Sequence, residues 1–322
     1  MKEMIIDGHK IEPGQKIQIN ALIARLPTRT PINIPVFVAR AKIDGPTLLI
    51  MAGVHGDETN GVEIMRRLIS SKVYIPKIGT VIAIPVFNVY GFLNHSRGLP
   101  DGKDLNRSFP GSKSGSLASR VAHFFTYEIL PQIDYGLDFH TGGASHNNYP
   151  QIRGNFELPN EMEIAMQFGA PLIIKSPFRE KSLRKTAAKA GKPVLVYEGG
   201  ETLRLRKNVI ESGVNGVLRV MKYLGMRDEA PVAEKPTVVI KESTWVRAKY
   251  AGLHHSNVRN GSRVEKNQVI GLITGPYGQF EKKVKSPISG VVIGINNYPV
   301  VNMGDALMHI GSEIEIKKTA DE

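Results

Sequence analysis

The apolar run Leu48-Leu49-Ile50-Met51-Ala52-Gly53-Val54 constrains the fold of this chain more than any other stretch. It is too short for a membrane span and shows no alternation, the pattern of a strand covered on both faces. Such strands belong to parallel sheets, whose crossover helices lie over each face. The run ends at once in His55-Gly56-Asp57-Glu58, a tight polar turn. A helical pattern follows from Asn60 to Ile69, with Val62, Met65 and Leu68-Ile69 at apolar spacing.

The alternation continues. Thr80 to Phe87 and Tyr135 to His140 read as further buried strands, and Pro171 to Ile174 and Val194 to Tyr197 as two more. Between them fall helices over Ser116 to Ile129, Glu161 to Gly169 and Ser182 to Ala190, with a last one over Ile210 to Leu224. Before them, Ile5 to about Ala41 reads as short antiparallel strands broken by Pro13-Gly14, Pro27, Pro31 and Pro35. This pattern predicts an α/β fold, a mixed central sheet with helices on both faces. At Arg227-Asp228-Glu229-Ala230-Pro231 the composition shifts to a polar linker. Beyond it only short β runs alternate with glycine turns, at Trp245 to Ala248, Gly261 to Val264, Val269 to Ile273, Gly290 to Ile295 and Ala306 to Ile310. The expected domains are therefore residues 1–228 and a small all-β domain over 236–314.

The chain has no cysteine, so disulfides and thiolate ligands are excluded and any metal must be held by His, Asp or Glu. This fits a cytoplasmic location, as does an N-terminus whose early acidic residues break any signal-peptide pattern. No apolar run approaches the roughly 20 residues needed to span a bilayer, so no membrane partner is expected. The formal net charge is +12. The charges are spread along the chain and no nucleic-acid-binding motif accompanies them, so no nucleic acid is expected as a partner. A basic surface would instead attract a small anionic substrate.

Imidazole and carboxylate are both good zinc ligands, and His55 and Glu58 stand at the carboxyl end of a strand, where open α/β sheets place their chemistry. A polar turn capping the next helix would read the same way. A catalytic zinc needs three protein ligands and one open position. His140 is the third candidate, since it too follows an apolar strand and precedes a glycine turn, in Asp138-Phe139-His140-Thr141-Gly142. Asp138 is near enough to orient a ligand. In Asp104-Leu105-Asn106-Arg107-Ser108-Phe109-Pro110-Gly111, Arg107 can grip a carboxylate bidentately and Asn106 can add a hydrogen bond, or Asp104 and Arg107 can form a surface pair that orders the loop. Glu198, at the end of Val194-Leu195-Val196-Tyr197, is placed for use as a general base. Glu201, past two glycines, competes for that role.

These stretches, with Pro13-Gly14-Gln15, Ala52-Gly53-Val54 before His55, and Gly191-Lys192-Pro193 before Glu198, recur in the order of a known family. Over residues 1–225 the chain resembles the succinylglutamate desuccinylase/aspartoacylase family, a branch of the zinc carboxypeptidase-like fold. The resemblance implies one zinc ion per chain, with His55, Glu58 and His140 as ligands. It further implies Glu198 as general base, Asn106 and Arg107 as the substrate-carboxylate clamp, and Arg97 as the arginine that polarises the scissile carbonyl. Arg97 lies further from Asp104 than its counterpart does in aspartoacylases. Arg179 and Arg184 are candidates for the family's later substrate-binding arginine. The C-terminal part resembles a biotinyl/lipoyl-type barrel sandwich, on Asn260-Gly261-Ser262-Arg263-Val264, Ser286-Pro287-Ile288-Ser289-Gly290 and Val301-Asn302-Met303-Gly304-Asp305. Gly275-Pro276-Tyr277-Gly278 stands where a carrier lysine would be, so covalent attachment of lipoate or biotin is not expected. His254-His255 is expected in an exposed loop.

The expected activity is zinc-dependent hydrolysis of the amide bond of a small N-acyl amino acid or related N-acylated carboxylate. Metal-bound water attacks the acyl carbonyl, Glu198 takes its proton and later protonates the leaving amine. The alternatives are a metallocarboxypeptidase acting on peptide C-termini and a non-catalytic metal-holding binding protein. A homo-oligomer is compatible with either.

Overall fold

The computed structural model describes residues 2–314 of the 322. A small hairpin, β1 (Ile5–Ile6) and β2 (His9–Lys10), precedes a long antiparallel ribbon, β3 (Lys16–Arg25) and β4 (Pro31–Arg40). The sequence had suggested several short strands there. Pro31 begins β4 and Pro35 lies within it without ending it, so the prolines mark positions in one ribbon rather than breaks between strands.

The α/β part follows as β5 (Ile43–Ala52), α1 (Thr59–Ser70), β6 (Ile78–Ile84), α2 (Val89–Leu93), α3 (Leu117–Phe124), β7 (Tyr135–Gly142), β8 (His146–Gly154), α4 (Glu161–Phe168), β9 (Leu172–Lys175), α5 (Leu183–Lys189), β10 (Val194–Glu201) and α6 (Lys207–Tyr223). The helix expected to run to Ile129 loosens after Phe124 into a wider turn over Phe125–Ile129. The last part contains β11 (Val238–Arg247), β12 (Gly252–Ser256), β13 (Arg263–Val264), β14 (Val269–Thr274), β15 (Glu281–Lys285), β16 (Gly290–Asn296), β17 (Val300–Val301) and β18 (Ala306–Ile314). The pair His254-His255 lies in β12, not in a loop, and His254 is buried while His255 is exposed. Among the described residues no helix is long and apolar enough to cross a membrane.

β10, β7, β5 and β6 are mutually parallel neighbours, so their carboxyl ends share one rim. Each face of this sheet is covered by its own apolar cluster. One gathers Leu49, Met51, Ile82 and Ile84 with Phe87, Phe109 and Phe125. The other gathers Leu48, Ile50, Leu137, Phe139 and Tyr197 with Ile64, Phe168 and Val217 from α1, α4 and α6. Alternate residues of β5 thus point to opposite cores, which is why the run has no polar position.

β8, together with β9, joins the two parts of the chain. It pairs antiparallel with β10 along one edge. Along its other edge it pairs with β9 at Gln151 to Gly154 and with β16 at His146 to Asn148. Since β9 pairs with β11, β11 with β18 and β18 with β16, five strands close into a ring through β8. Closure removes the sheet edges that an appended domain would otherwise leave open. The remaining strands β15, β14, β12 and β17 form the second, four-stranded sheet of the C-terminal part.

Candidate active site

His55 sits in the turn after β5. The next residue must be glycine, because a Cβ at Gly56 would lie 1.8 Å from the Gly91 carbonyl carbon of α2. This close approach folds the chain sharply, so that Glu58, at the N-terminus of α1, turns its carboxylate back to the histidine instead of capping the helix. Glu58 Oε1 lies 2.8 Å from His55 Nδ1, and Oε2 lies 2.8 Å from His140 Nδ1 and accepts from the Thr141 amide at 3.2 Å. The two Nδ1 atoms are 3.2 Å apart. All three side chains are buried.

Burial by itself would raise the Glu58 carboxyl, but the two histidines hold it well below the usual carboxylate range. Burial likewise disfavours charge on His140, and Asp138 and Glu58 outweigh it, raising that imidazole well above its ordinary value. His55 is raised too, burial being outweighed by Glu58 and Asp104. His140 Nε2 lies 2.8 Å from Asp138 Oδ2, and donation to that carboxylate leaves the lone pair of a neutral ring on Nδ1. On a neutral ring that lone pair would face a carboxylate oxygen at 2.8 Å and repel it; the raised imidazole avoids this with a proton on Nδ1, and a bound cation would serve equally in the proton's place. Two imidazole nitrogens and one carboxylate oxygen, all within 4.8 Å of one another, make the donor set of a hydrolytic zinc, with Asp138 as the group orienting a ligand. The residues present fit such an ion.

Arg97 reaches this cluster from the segment after α2. Its Nη1 lies 3.3 Å from His55 Nδ1 and 3.4 Å from Glu58 Oε1, while Nε and Nη2 donate to Asp104 Oδ2 at 3.1 and 3.0 Å. Burial pushes the Asp104 carboxyl up, but His55 and Arg97 hold it well below its usual range. His55 Nε2 is 3.3 Å from Asp104 Oδ1 yet out of line for a hydrogen bond. Asn106 is in the short 3-10 turn Leu105–Arg107, and its Oδ1 accepts from the Leu183 amide at the start of α5 at 2.9 Å. Arg107 is exposed and donates to the Asn106 carbonyl at 2.6 Å.

Glu198 is the register partner of His140 on the neighbouring strand. Its Oε2 accepts from Asn148 Nδ2 at 2.7 Å and lies 3.5 Å from Arg153 Nη2. Glu201, the rival candidate, points elsewhere. It pairs with Arg206 and with Asn297 of the C-terminal part and does not line the cavity.

His55, Glu58, His140, Glu198, Arg97, Asn106 and Arg107 all line one cavity of about 390 Å³. That is within the usual range for a small-molecule site. Arg179 and Arg184 line it as well. Arg184 is buried and donates to the Ser176 and Pro177 carbonyls at 3.0 and 2.8 Å, while its Nη1 has no partner. Sequence reasoning missed Asn148 and Arg153 on β8, and Trp245 and Arg247 at the far end of β11, all of which line the cavity. One signal could have exposed β8. The stretch between His140 and Glu161 is longer than loops inside compact domains usually are, and an unassigned strand is the simplest way to fill it.

Comparison with known proteins agrees with this architecture. Residues 44–224 match the succinylglutamate desuccinylase/aspartoacylase catalytic domain. Among characterised proteins, the N-alpha-acetyl-L-2,4-diaminobutyric acid deacetylase of Halomonas elongata is 29% identical over 301 residues, covering 88% of this chain and 87% of that one. A crystal structure of a succinylglutamate desuccinylase/aspartoacylase from Rhodobacter sphaeroides superposes with a TM-score of 0.79 at 25% identity, over 93% of this chain and 96% of the other. A succinylglutamate desuccinylase from Silicibacter sp. shares the fold with a TM-score of 0.83 at 22% identity, over 98% of this chain and all (100%) of the other.

Proposed function

We propose, from the premise that this chain belongs to the succinylglutamate desuccinylase/aspartoacylase family, that it is a zinc-dependent deacylase. Its substrate would be a small N-acyl amino acid or related N-acylated carboxylate, and the bond cleaved a linear amide. One observation carries the reading: the convergent His55–Glu58–His140 donors and the Glu198 carboxylate face a single cavity that also holds six arginines.

His55, Glu58 and His140 would hold one zinc ion. When bound, the ion would act as a Lewis acid, lowering the pKa of water from about 15.7 toward 7 and polarising a carbonyl. Glu198, kept in place by Asn148, takes the proton of the attacking water on a carboxylate oxygen and delivers it to the departing amine nitrogen. Arg97 presents Nη1 beside the donor cluster, where it can donate to oxygen charge as the carbonyl is attacked. The Asp104 carboxylate fixes the rest of that guanidinium. Arg107 and the Asn106 amide nitrogen would receive the substrate carboxylate, since Asn106 Oδ1 is already committed to α5. Trp245 and Arg247 wall the cavity from the C-terminal side, which favours a small acyl amino acid over a long peptide.

The test is a substrate panel offered to the zinc-loaded protein: N-acetyl and N-succinyl amino acids, beginning with N-alpha-acetyl-L-2,4-diaminobutyric acid, beside short unblocked peptides. Release of free amine from acyl amino acids and not from peptides is expected. Cleavage of peptides alone would move the reading to a carboxypeptidase, and hydrolysis of neither by protein holding stoichiometric zinc would end it.

A further inference from the structure

We propose that Asn148 is a positioning residue for Glu198, and that the C-terminal β domain, through Gly294 of β16, sets the orientation of its amide. The proposal rests on the reading of Glu198 as the general base.

Four observations carry it. Asn148 is buried, and its Nδ2 donates to Glu198 Oε2 at 2.7 Å. Its backbone is gripped from both sides, since it is the register partner of Gly200 on β10 and of Gly294 on β16. A Cβ at Gly294 would lie 2.6 Å from Asn148 Oδ1, inside van der Waals contact, and no other side chain lies as near that position. The β16 backbone thus closes directly on the oxygen of the same amide whose nitrogen holds Glu198. Finally, this stretch of β8 is fixed by further bonds to the β domain: Ser145 Oγ donates to Asn296 Oδ1 at 2.6 Å, and Asn260 Nδ2 donates to the Asn147 carbonyl at 2.8 Å.

The carboxylate needs this help because the ladder beside it is irregular. Between Glu198 and Gly200 the β8–β10 ladder is irregular: Tyr149 and Pro150 lie opposite Gly199 alone. Such a bulge re-aims side chains and frees the local backbone from regular pairing. At the bulge, rotation of the Glu198 carboxylate is restrained by Asn148 at 2.7 Å and, more loosely, by Arg153 at 3.5 Å. Any shift of β16 toward β8 turns the Asn148 amide and withdraws its N–H from Glu198. A base displaced by a fraction of a hydrogen-bond length loses on the order of 10- to 100-fold in rate without loss of substrate binding.

The experiment uses the full chain and two readouts. In metal-free protein labelled with nitrogen-15, the Asn148 side-chain amide resonances are assigned by their disappearance in Asn148→Ala. They are expected to move in Glu198→Gln and again in Gly294→Ala. If either substitution leaves them in place in folded protein, the chain of contacts is refuted. In zinc-loaded protein, Asn148→Ala and Gly294→Ala are expected to lower kcat by roughly 10- to 100-fold with KM within about twofold and zinc content unchanged. Asn148→Ala added to Glu198→Gln is expected to cost nothing more, whereas an equal further loss would reveal a merely structural role and overturn the proposal. Should Glu198→Gln keep full activity while the amide resonances behave as expected, the contact stands and the assignment of Glu198 as base falls.

Discussion

His55, Glu58 and His140 are held by chain that is close in sequence or adjacent in the parallel sheet: a single turn after β5, the first residues of α1, and the next strand over. Glu198 stands beside His140 on the next parallel strand, but its carboxylate is held differently. Its partner Asn148 stands on a bulged strand whose far edge belongs to β16, and Trp245 and Arg247 arrive from β11. One wall is local, and the other is assembled from distant segments by β pairing. Metal binding should therefore survive disturbances that catalysis does not.

The largest expected effect tests the local wall. His140→Ala should reduce bound zinc from about one ion per chain to near none, read by atomic emission, since three protein ligands are the minimum for such a site. Retention of stoichiometric zinc would break the comparison at its root. Next, Glu198→Gln should lower kcat by about 10²- to 10⁴-fold while zinc content stays the same, so that one wall fails without the other.

Acid should separate the walls by stability. His309 on β18 is buried and stacked on Trp245 at 4.5 Å. Burial, with Arg153 and His146 nearby, pushes its imidazole down from 6.5 to about 4. The unfolded chain thus takes up this proton near pH 6.5, whereas the folded chain refuses it until about pH 4. Stability is full above the upper value and falls by about 3 kcal/mol as pH drops through the window. Trp245 is the only tryptophan, so its fluorescence during urea unfolding at several pH values reports on this wall directly. A slope unchanged in His309→Phe would assign the acid sensitivity to another group. The smallest effect concerns Arg247→Ala, which should raise KM by about 10- to 100-fold with kcat preserved if this cavity-lining guanidinium meets the substrate, because a charge-assisted hydrogen bond contributes about 1.5–3 kcal/mol. A fall in kcat instead would mean that Arg247 acts on the chemistry.

The local wall was legible in the sequence because it is built from contiguous residues. An apolar strand followed at once by His55-Gly56-Asp57-Glu58, and another followed by His140, place donors at strand ends through contiguous residues. Glu198 was legible on the same ground. Its setting was not. His146-Asn147-Asn148-Tyr149-Pro150-Gln151 has two asparagines and a proline where a strand signal would need alternation, and Pro150 is tolerated because it lies at the bulge. Nor does any local pattern say that β16 pairs with β8, because Asn148 and Gly294 meet only through the closed ring of strands. Glu201 shows the limit from the other side: in sequence it matches Glu198 as a strand-end carboxylate, yet it binds Arg206 and Asn297.

The five-stranded ring also has a consequence in the order of synthesis. The candidate metal donors are all made by residue 140 and Glu198 soon after, whereas β16 and β18, which complete the ring, leave the ribosome much later. N-terminal regions generally fold first as a chain emerges. A nascent chain would therefore have its His55–Glu58–His140 cluster in place while β8 still has an open edge and Asn148 no wall behind it. On the proposed reading, hydrolytic competence would arrive only when the final strands close, and a chain truncated before β16 is expected to bind metal but to leave Glu198 unpositioned.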